Sequence, residues 1–444
     1  MRSSSAGAQP ERRSGEHRTL DASSAGAQPE RRSGEHRTLD GSSRLDRLPP
    51  YLFAELERKI AAKRAQGVDV ISLGIGDPDT PTPPFAAEVL AAAAADPGTH
   101  RYPSNRGRPE LRDAVARFYD RRFGVALDTE TEIVPALGAK ECIFNLNLAF
   151  LDPATAALAS DPGYPVYTGG PLLAGAEAAL MPLVAERGFA PDLGAITDED
   201  AQRARLMYLN YPNNPTGAVV PDGLFEAVIE FARANDVLIV HDASYTETTF
   251  DGYVAPSFLA TPGAKEVGVE VFSLSKGYNM TGWRTAAIVG NAEAVEAYWK
   301  LKTNIDSGMF EAVQLAQAAV LDEGDDVPLE MNTIYSRRRD LVCSALEEIG
   351  VAVTRPKGTI YVWAPVPEGH SSASYCELVL EQSGVVVSPG GAYGPNGEGF
   401  FRISLTIDDE RLAEAVERLR SSLSSGSSGG ARPADARPAL RRCT

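Results

Sequence analysis

Only eight lysines are spread through the 444 residues, and one of them has unusual neighbours. Lys276 follows Ser273-Leu-Ser275 at the end of an apolar run, and Arg284 stands eight residues further on. An amine on a rigid perch, two hydroxyls and a guanidinium suit a Schiff base with an aldehyde that also carries a phosphate. Lys276 would supply the nitrogen, and Ser273, Ser275 and Arg284 would grip the anion. Burial beside cationic groups lowers a lysine pKa and frees the amine for that bond. Lys59 and Lys63 fall on an amphipathic helical pattern, Lys300 and Lys302 near the end of another, and Lys265 and Lys357 in turn-rich segments. Lys140 is the one other lysine set in a turn among further motif residues.

Those further residues lie upstream. Asp242 and Tyr245 close an apolar strand pattern in His241-Asp-Ala-Ser-Tyr245. A carboxylate there could keep a pyridinium nitrogen protonated, and the tyrosine could reach a phenolic oxygen on the same ring. His241 reads as a strand-end residue, because a lysine released from its Schiff base is the better proton shuttle. In Asn210-Tyr-Pro-Asn-Asn214-Pro-Thr-Gly217 two prolines and a glycine fix an irregular turn, which would hold Asn214 as a second donor to that oxygen. Leu137-Gly-Ala139-Lys140 opens a helix, and backbone N–H groups at a helix start bind phosphate. Tyr164, in Asp161-Pro-Gly-Tyr164-Pro, could stack on a flat ring. Arg402, in Gly399-Phe-Phe-Arg-Ile-Ser404, could take a carboxylate through two parallel hydrogen bonds.

The elements that must position these groups alternate. Short apolar runs at Val68–Leu73, Ala156–Ala159, Leu206–Asn210, Val237–His241 and Val269–Leu274 predict buried, mostly parallel strands. Helical patterns over Pro109–Phe123, Ala139–Phe150 and Leu224–Asn235 fall between them. This predicts an α/β fold with crossover helices, in which ligands bind beyond the carboxyl ends of the strands, where the motifs lie. From Asp326 to Leu423 the pattern changes to a long helix, strands near Val351–Val353, Thr359–Trp363 and Phe400–Ile403, then helices. The expected organisation is an extension over 1–43, an arm and part of a small domain over 44–80, a large α/β domain over 81–322, a small α+β domain over 323–423 and a tail over 424–444.

Both ends read as disordered. Ser4–Asp21 recurs unchanged as Ser23–Asp40, a copy without drift that suggests a recent duplication or a translated upstream region. The tail is rich in Ser, Gly, Pro and Arg and carries Cys443. Residues 1–43 hold seven arginines and six acids, and residues 425–444 four arginines and one aspartate, so the segment between carries about −21 of a net −17. That acidity argues against nucleic acid or an anionic membrane as partner. Four cysteines without Cys-x-x-Cys spacing argue against a disulfide framework or a zinc site and suit a reducing cytoplasm, and no metal is expected. No run of 18 apolar residues and no apolar leader core is present in the sequence.

Lys276 with its Ser-x-Ser prefix, Arg284, Asp242 with Tyr245, and Asn214-Pro-Thr-Gly together resemble the class I/II aminotransferases of fold type I, from about Arg44 to Leu423. Leu48–Glu55, Leu73–Pro83, His100–Ser104, Tyr278–Arg284 and Tyr361–Pro367 are most similar to the branch of that family that acts on LL-diaminopimelate. The resemblance implies a mostly parallel large domain with a smaller α+β domain, pyridoxal 5′-phosphate as cofactor, and a cytoplasmic homodimer with shared active sites. Lys276 would be catalytic. Tyr102 (from the neighbouring subunit), Ala139, Lys140, Tyr164, Asn214, Asp242, Tyr245, Ser273, Ser275 and Arg284 would hold cofactor. Tyr51, Gly76, Lys140, Asn214, Ser307 and Arg402 would touch substrate, with Arg402 on the α-carboxylate. The implied reaction moves an amino group from a donor such as glutamate to a 2-oxo acid, in lysine biosynthesis. Ala139 stands where many relatives have serine, and Gly277 and Thr285-Ala-Ala287 replace bulkier residues. These departures leave open a transaminase for another amino acid, or a lyase or decarboxylase on the same cofactor.

Overall fold

The computed structural model describes residues 40–49 and 52–423, apart from the side chains of 52–56. The tandem repeat, the tail with Cys443, and Tyr51 therefore lie outside the described residues. Twelve strands are described: β1 (Ile71–Ser72), β2 (Ile133–Ala136), β3 (Ala156–Asp161), β4 (Glu177–Pro182), β5 (Ala204–Leu209), β6 (Leu238–Ala243), β7 (Gly268–Ser273), β8 (Ala286–Gly290), β9 (Tyr361–Pro365), β10 (Val385–Val386), β11 (Ser388–Pro389) and β12 (Phe400–Ser404). Seven form a sheet in the order β2-β8-β7-β6-β5-β3-β4. Pairing is parallel throughout β4, β3, β5, β6 and β7, while β8 runs antiparallel to both its neighbours.

Apart from the edge strand β4, which is largely exposed, both faces of this sheet are buried, which is why strands such as β3, β6 and β7 read as continuous apolar runs rather than alternating ones. Successive side chains point to opposite faces. Met207, Leu209, Ile239 and Phe272 join one hydrophobic cluster, with Phe118, Leu224 and Val228. Leu206, Tyr208, Val240 and Val271 join another, with Cys142, Ile143 and Leu146. The helices over Pro109–Phe123, Ala139–Phe150 and Leu224–Asn235 have the bounds their sequence patterns predict. In the first, Pro109 opens the helix and Gly124 ends it in the left-handed region at φ 68°, where its N–H returns to Asp120 and Tyr119 carbonyls.

A second assembly is smaller. Strands β11, β12 and β9 pair antiparallel, and β1 lies parallel to β10. They pack with the helices Asp326–Glu348, Ser372–Ser383 and Asp409–Leu423 around Tyr335, Leu346, Val362, Phe401, Ile403 and Leu412. The run Val68–Leu73 thus contributes a two-residue strand to this assembly and not to the large sheet. The strand expected over Val351–Val353 does not form. Val351 is buried against the small core and its N–H bonds back to Leu346 after Gly350 turns the chain, so the apolar residues pack without a strand beside them.

Candidate active site

The carboxyl ends of β5, β6 and β7 and the start of the Ala139–Phe150 helix open on one cavity of about 380 Å³. Its lining includes Gly76, Ala139, Lys140, Tyr164, Asn214, Asp242, Tyr245, Ser273, Ser275, Lys276, Arg284 and Arg402. The fold therefore gathers residues from seven separate segments at the place an α/β sheet leaves for ligands. Tyr102 and Ser307 are not in the cavity. Tyr102 is 88% exposed, and Ser307 is also exposed.

Lys276 follows β7, and its Nζ donates to the Gly76 carbonyl at 2.5 Å. Burial lowers its ammonium pKa below the ordinary lysine value. Arg402 and Arg284 push the same way, while Tyr361 and Asp77 oppose. Asp242, near the end of β6, is buried, and burial raises its carboxyl pKa. Three donors restrain that rise: Ser244 Oγ at 2.5 Å and Ser244 N–H at 3.1 Å to one carboxylate oxygen, and Tyr167 hydroxyl at 2.8 Å to the other.

One end of the cavity is built for an anion. Gly138 stands before the Ala139–Phe150 helix at φ 86°, with no side chain to cap it. A Cβ there would fall 2.2 Å from Arg284 Nη2, so only glycine lets the guanidinium lie against the helix start. Arg284 itself adopts the left-handed region at φ 56°, and its Nη1 donates to the Thr281 carbonyl at 2.9 Å. Ser273 Oγ lies 2.9 Å from Ser275 Oγ and 3.1 Å from the Thr285 carbonyl. Helix N–H groups, two hydroxyls and a guanidinium converge, a combination that fits a phosphate.

The other end is built around Arg402, which is 1% exposed on β12. Its Nη1 donates to Asn214 Oδ1 at 2.8 Å and its Nη2 to the Gly74 carbonyl at 2.9 Å, while its buried Nε has no acceptor. Asn214 is held in turn through its N–H to Asn210 Oδ1 at 2.7 Å. The Tyr361 ring lies 3.8 Å beneath the guanidinium, and the Tyr245 hydroxyl approaches the Tyr361 hydroxyl at 3.3 Å. Burial raises the Tyr361 phenol, but Arg402 and Lys276 outweigh it and draw the pKa below the ordinary tyrosine value.

Sequence reasoning did not single out Glu57, Ile75, Asp77, Ser244, Thr281 or Tyr361, all of which line the cavity, nor Tyr167 behind Asp242. Tyr361 sits two residues from Trp363 on β9, and Trp363 is the cross-strand partner of Arg402. Period-two spacing on β9 was thus the one local signal for Tyr361.

The family model for aminotransferase class I and II matches residues 68–419. The LL-diaminopimelate aminotransferase of Moorella thermoacetica is 53% identical over 377 residues, covering 85% of this chain and 97% of that protein. The enzyme of the same name from Desulforudis audaxviator is 53% identical over 380 residues, covering 86% and 97%. Among solved structures, substrate-bound BacF from Bacillus subtilis aligns with a TM-score of 0.83 at 37% identity, covering 87% of this chain and 98% of that one. The protein is an enzyme with transaminase activity, and the chain belongs to the class I and II aminotransferases.

Proposed function

We propose that the cavity holds pyridoxal 5′-phosphate and that the enzyme interconverts LL-diaminopimelate and its cyclised oxo acid, tetrahydrodipicolinate, with glutamate and 2-oxoglutarate as the other pair. The observation that carries the cofactor reading is the cradle in which Gly138, Arg284, Ser273 and Ser275 meet at one end of a cavity that also holds Lys276. The substrate reading rests on relatives 53% identical that bear the name LL-diaminopimelate aminotransferase.

When bound, the cofactor supplies an aldehyde and an electron-withdrawing ring. The chain supplies the rest. Ser273, Ser275, Arg284 and the first turn of the Ala139–Phe150 helix hold the phosphate. Asp242 would keep the ring nitrogen protonated, and Tyr167 and Ser244 donate to Asp242 and restrain the rise that burial imposes on its pKa. Asn214, whose Oδ1 is taken by Arg402, has its Nδ2 left to donate to the ring's phenolic oxygen, beside Tyr245. Arg402 binds the α-carboxylate by exchanging backbone and amide acceptors for carboxylate oxygens. Lys276, with its lowered pKa, is the base that moves the proton from the substrate α-carbon. Tyr164 and Tyr361 wall the cavity.

The same reading places the protein in the cytoplasm as a homodimer, with residues 81–322 as the cofactor-holding domain. The exposure of Tyr102, Ile305 and Phe310 supports a partner surface near Ser307. The test is direct. Purified protein with pyridoxal 5′-phosphate, LL-diaminopimelate and 2-oxoglutarate should form glutamate faster than with a panel of other amino donors. Glutamate formation from another amine with LL-diaminopimelate inert would overturn the substrate assignment and leave the transaminase chemistry standing.

A further inference from the structure

Behind the cavity lies a charged cluster that this chemistry does not use. Lys302 ends the helix Ala292–Lys302 and is 1% exposed. Its Nζ donates to Asp306 Oδ2 at 2.6 Å and lies 3.9 Å from Glu141 Oε1. Glu141 belongs to the first turn of the Ala139–Phe150 helix. Its carboxylate accepts the Leu137 N–H at 3.1 Å, the Tyr298 hydroxyl at 3.0 Å and the Asn145 amide at 2.5 Å. The second oxygen of Asp306 accepts the Gly308 N–H at 2.7 Å. One buried ammonium therefore joins the turn that carries Gly138 to the segment that carries Ser307.

A carboxylate is ordinarily welcome in the first turn of a helix, because it meets the positive end of the dipole. Here the same end faces the anion cradle. An uncompensated charge on Glu141 would act through a poorly screening interior against a phosphate dianion. Neutralising it by protonation would weaken its hold on the Leu137 N–H. Burial pushes the Glu141 carboxyl up, and the Lys302 ammonium opposes that rise.

We propose that Lys302 is a positioning residue for the cofactor phosphate: it cancels the charge of Glu141 while leaving that carboxylate free to hold the Leu137–Lys140 turn in its anion-binding shape. The inference rests on the cofactor reading above. It concerns the grip on the phosphate and not the chemistry at Lys276.

Titrating apo-protein with pyridoxal 5′-phosphate and with pyridoxal, which lacks the phosphate, separates that role from a merely structural one. Binding is followed by visible absorbance, and the Tm of each apo form is recorded. Lys302→Met should weaken pyridoxal 5′-phosphate at least about tenfold and leave pyridoxal unchanged. Lys302→Arg should recover most of the loss. Lys302→Met combined with Glu141→Gln should bind more tightly than Lys302→Met alone, because a neutral amide no longer repels the anion. If Lys302→Met does not fold, the double variant Lys302→Met/Glu141→Gln carries the test. Glu141→Gln removes the charge but holds the Leu137 N–H more weakly, so the double variant should bind pyridoxal 5′-phosphate more weakly than wild type and pyridoxal equally. Equal losses for both aldehydes, undiminished binding in Lys302→Met, or undiminished binding in the double variant would overturn the proposal. Wild-type protein that binds pyridoxal but not its phosphate would overturn the cofactor reading, and this inference with it.

Discussion

The guanidinium of Arg402 lies 3.8 Å above the ring of Tyr361, and both side chains are buried. Cation–π contacts are strongest when desolvated, at about 2 kcal/mol or more. The stack leaves the Arg402 fork flat and already aimed, with two donors on exchangeable neutral acceptors and a third on none. Lysine keeps the charge but loses the plane and the second parallel bond. Arg402→Lys should therefore lower kcat/KM for the amino donor by about 10²-fold, the cost of a charge-assisted hydrogen bond, and leave cofactor affinity unchanged. Steady-state kinetics beside a cofactor titration checks both halves.

Lys276 gives a prediction in pH. Its folded-state pKa lies below the unfolded lysine value of about 10.4. Across that interval the unfolded chain binds more protons than the folded one, so stability attributable to this group rises with pH. That contribution is fully present above about pH 10.4 and is lost as pH falls through the lowered value. Apo-protein carrying Lys276→Met should therefore gain most over wild type at neutral pH, and the gain should shrink as pH climbs. Urea unfolding at several pH values measures it. The same variant should lose transaminase activity by about 10⁴-fold or more, since it lacks both nucleophile and base.

Asp242 and Tyr167 form the second coupled pair. The 2.8 Å hydrogen bond favours the charged carboxylate against its burial. Tyr167→Phe removes a bond to a charged group, with a cost of about 1.5–3 kcal/mol. The carboxyl pKa then rises further, and the acid limb of the kcat/KM profile should move to higher pH. Asp242→Asn should abolish that limb and reduce kcat by about 10²-fold or more. A profile for Tyr167→Phe that shifts downward or not at all would show that Tyr167 only fills space.

How much of this was legible depends on how local the cause was. The helices over Pro109–Phe123, Ala139–Phe150 and Leu224–Asn235 carry their own period and their own end signals, so their bounds could be read directly. Lys276 and Asn214 announce themselves because each sits in a turn just beyond a strand, and Asp242 because it is a carboxylate at the end of an apolar one. Tyr167 does not. It lies within the helix Val166–Ala174, stacks on Tyr208, and meets Asp242 across 75 residues of sequence, so it reads as core. Lys302 was passed over for the same reason: only the fold brings Glu141 to it. The Val351–Val353 run shows the converse failure, an apolar pattern that is satisfied by burial with no strand beside it.

Gly138 is where backbone freedom and ligand chemistry coincide. Gly138→Ala places a methyl 2.2 Å from Arg284 Nη2 and forces a side chain into the left-handed region at φ 86°. The conformational cost alone is about 1–2 kcal/mol, and displacement of the guanidinium adds to it at the cradle. Binding of pyridoxal 5′-phosphate should weaken by more than about tenfold, with a smaller loss for pyridoxal. A fall in Tm with unchanged preference for the phosphorylated form would mean that the glycine serves the turn alone.

Tyr102 supplies the last prediction. It is 88% exposed and stands outside the cavity that collects Lys276 and Arg284, beside the exposed Phe310. An exposed tyrosine beside an exposed phenylalanine suits an interaction surface, and Tyr102 would serve one by inserting into the site of a second copy. Tyr102→Ala and Lys276→Ala would then disable different halves of each shared site. Each variant alone should be strongly impaired. Co-expressed, they should form hybrid dimers in which one site has both residues intact, and activity should return above the sum of the two. Hybrids that stay as inactive as their parents, although gel filtration shows them to be dimers, would place Tyr102 outside the catalytic arrangement.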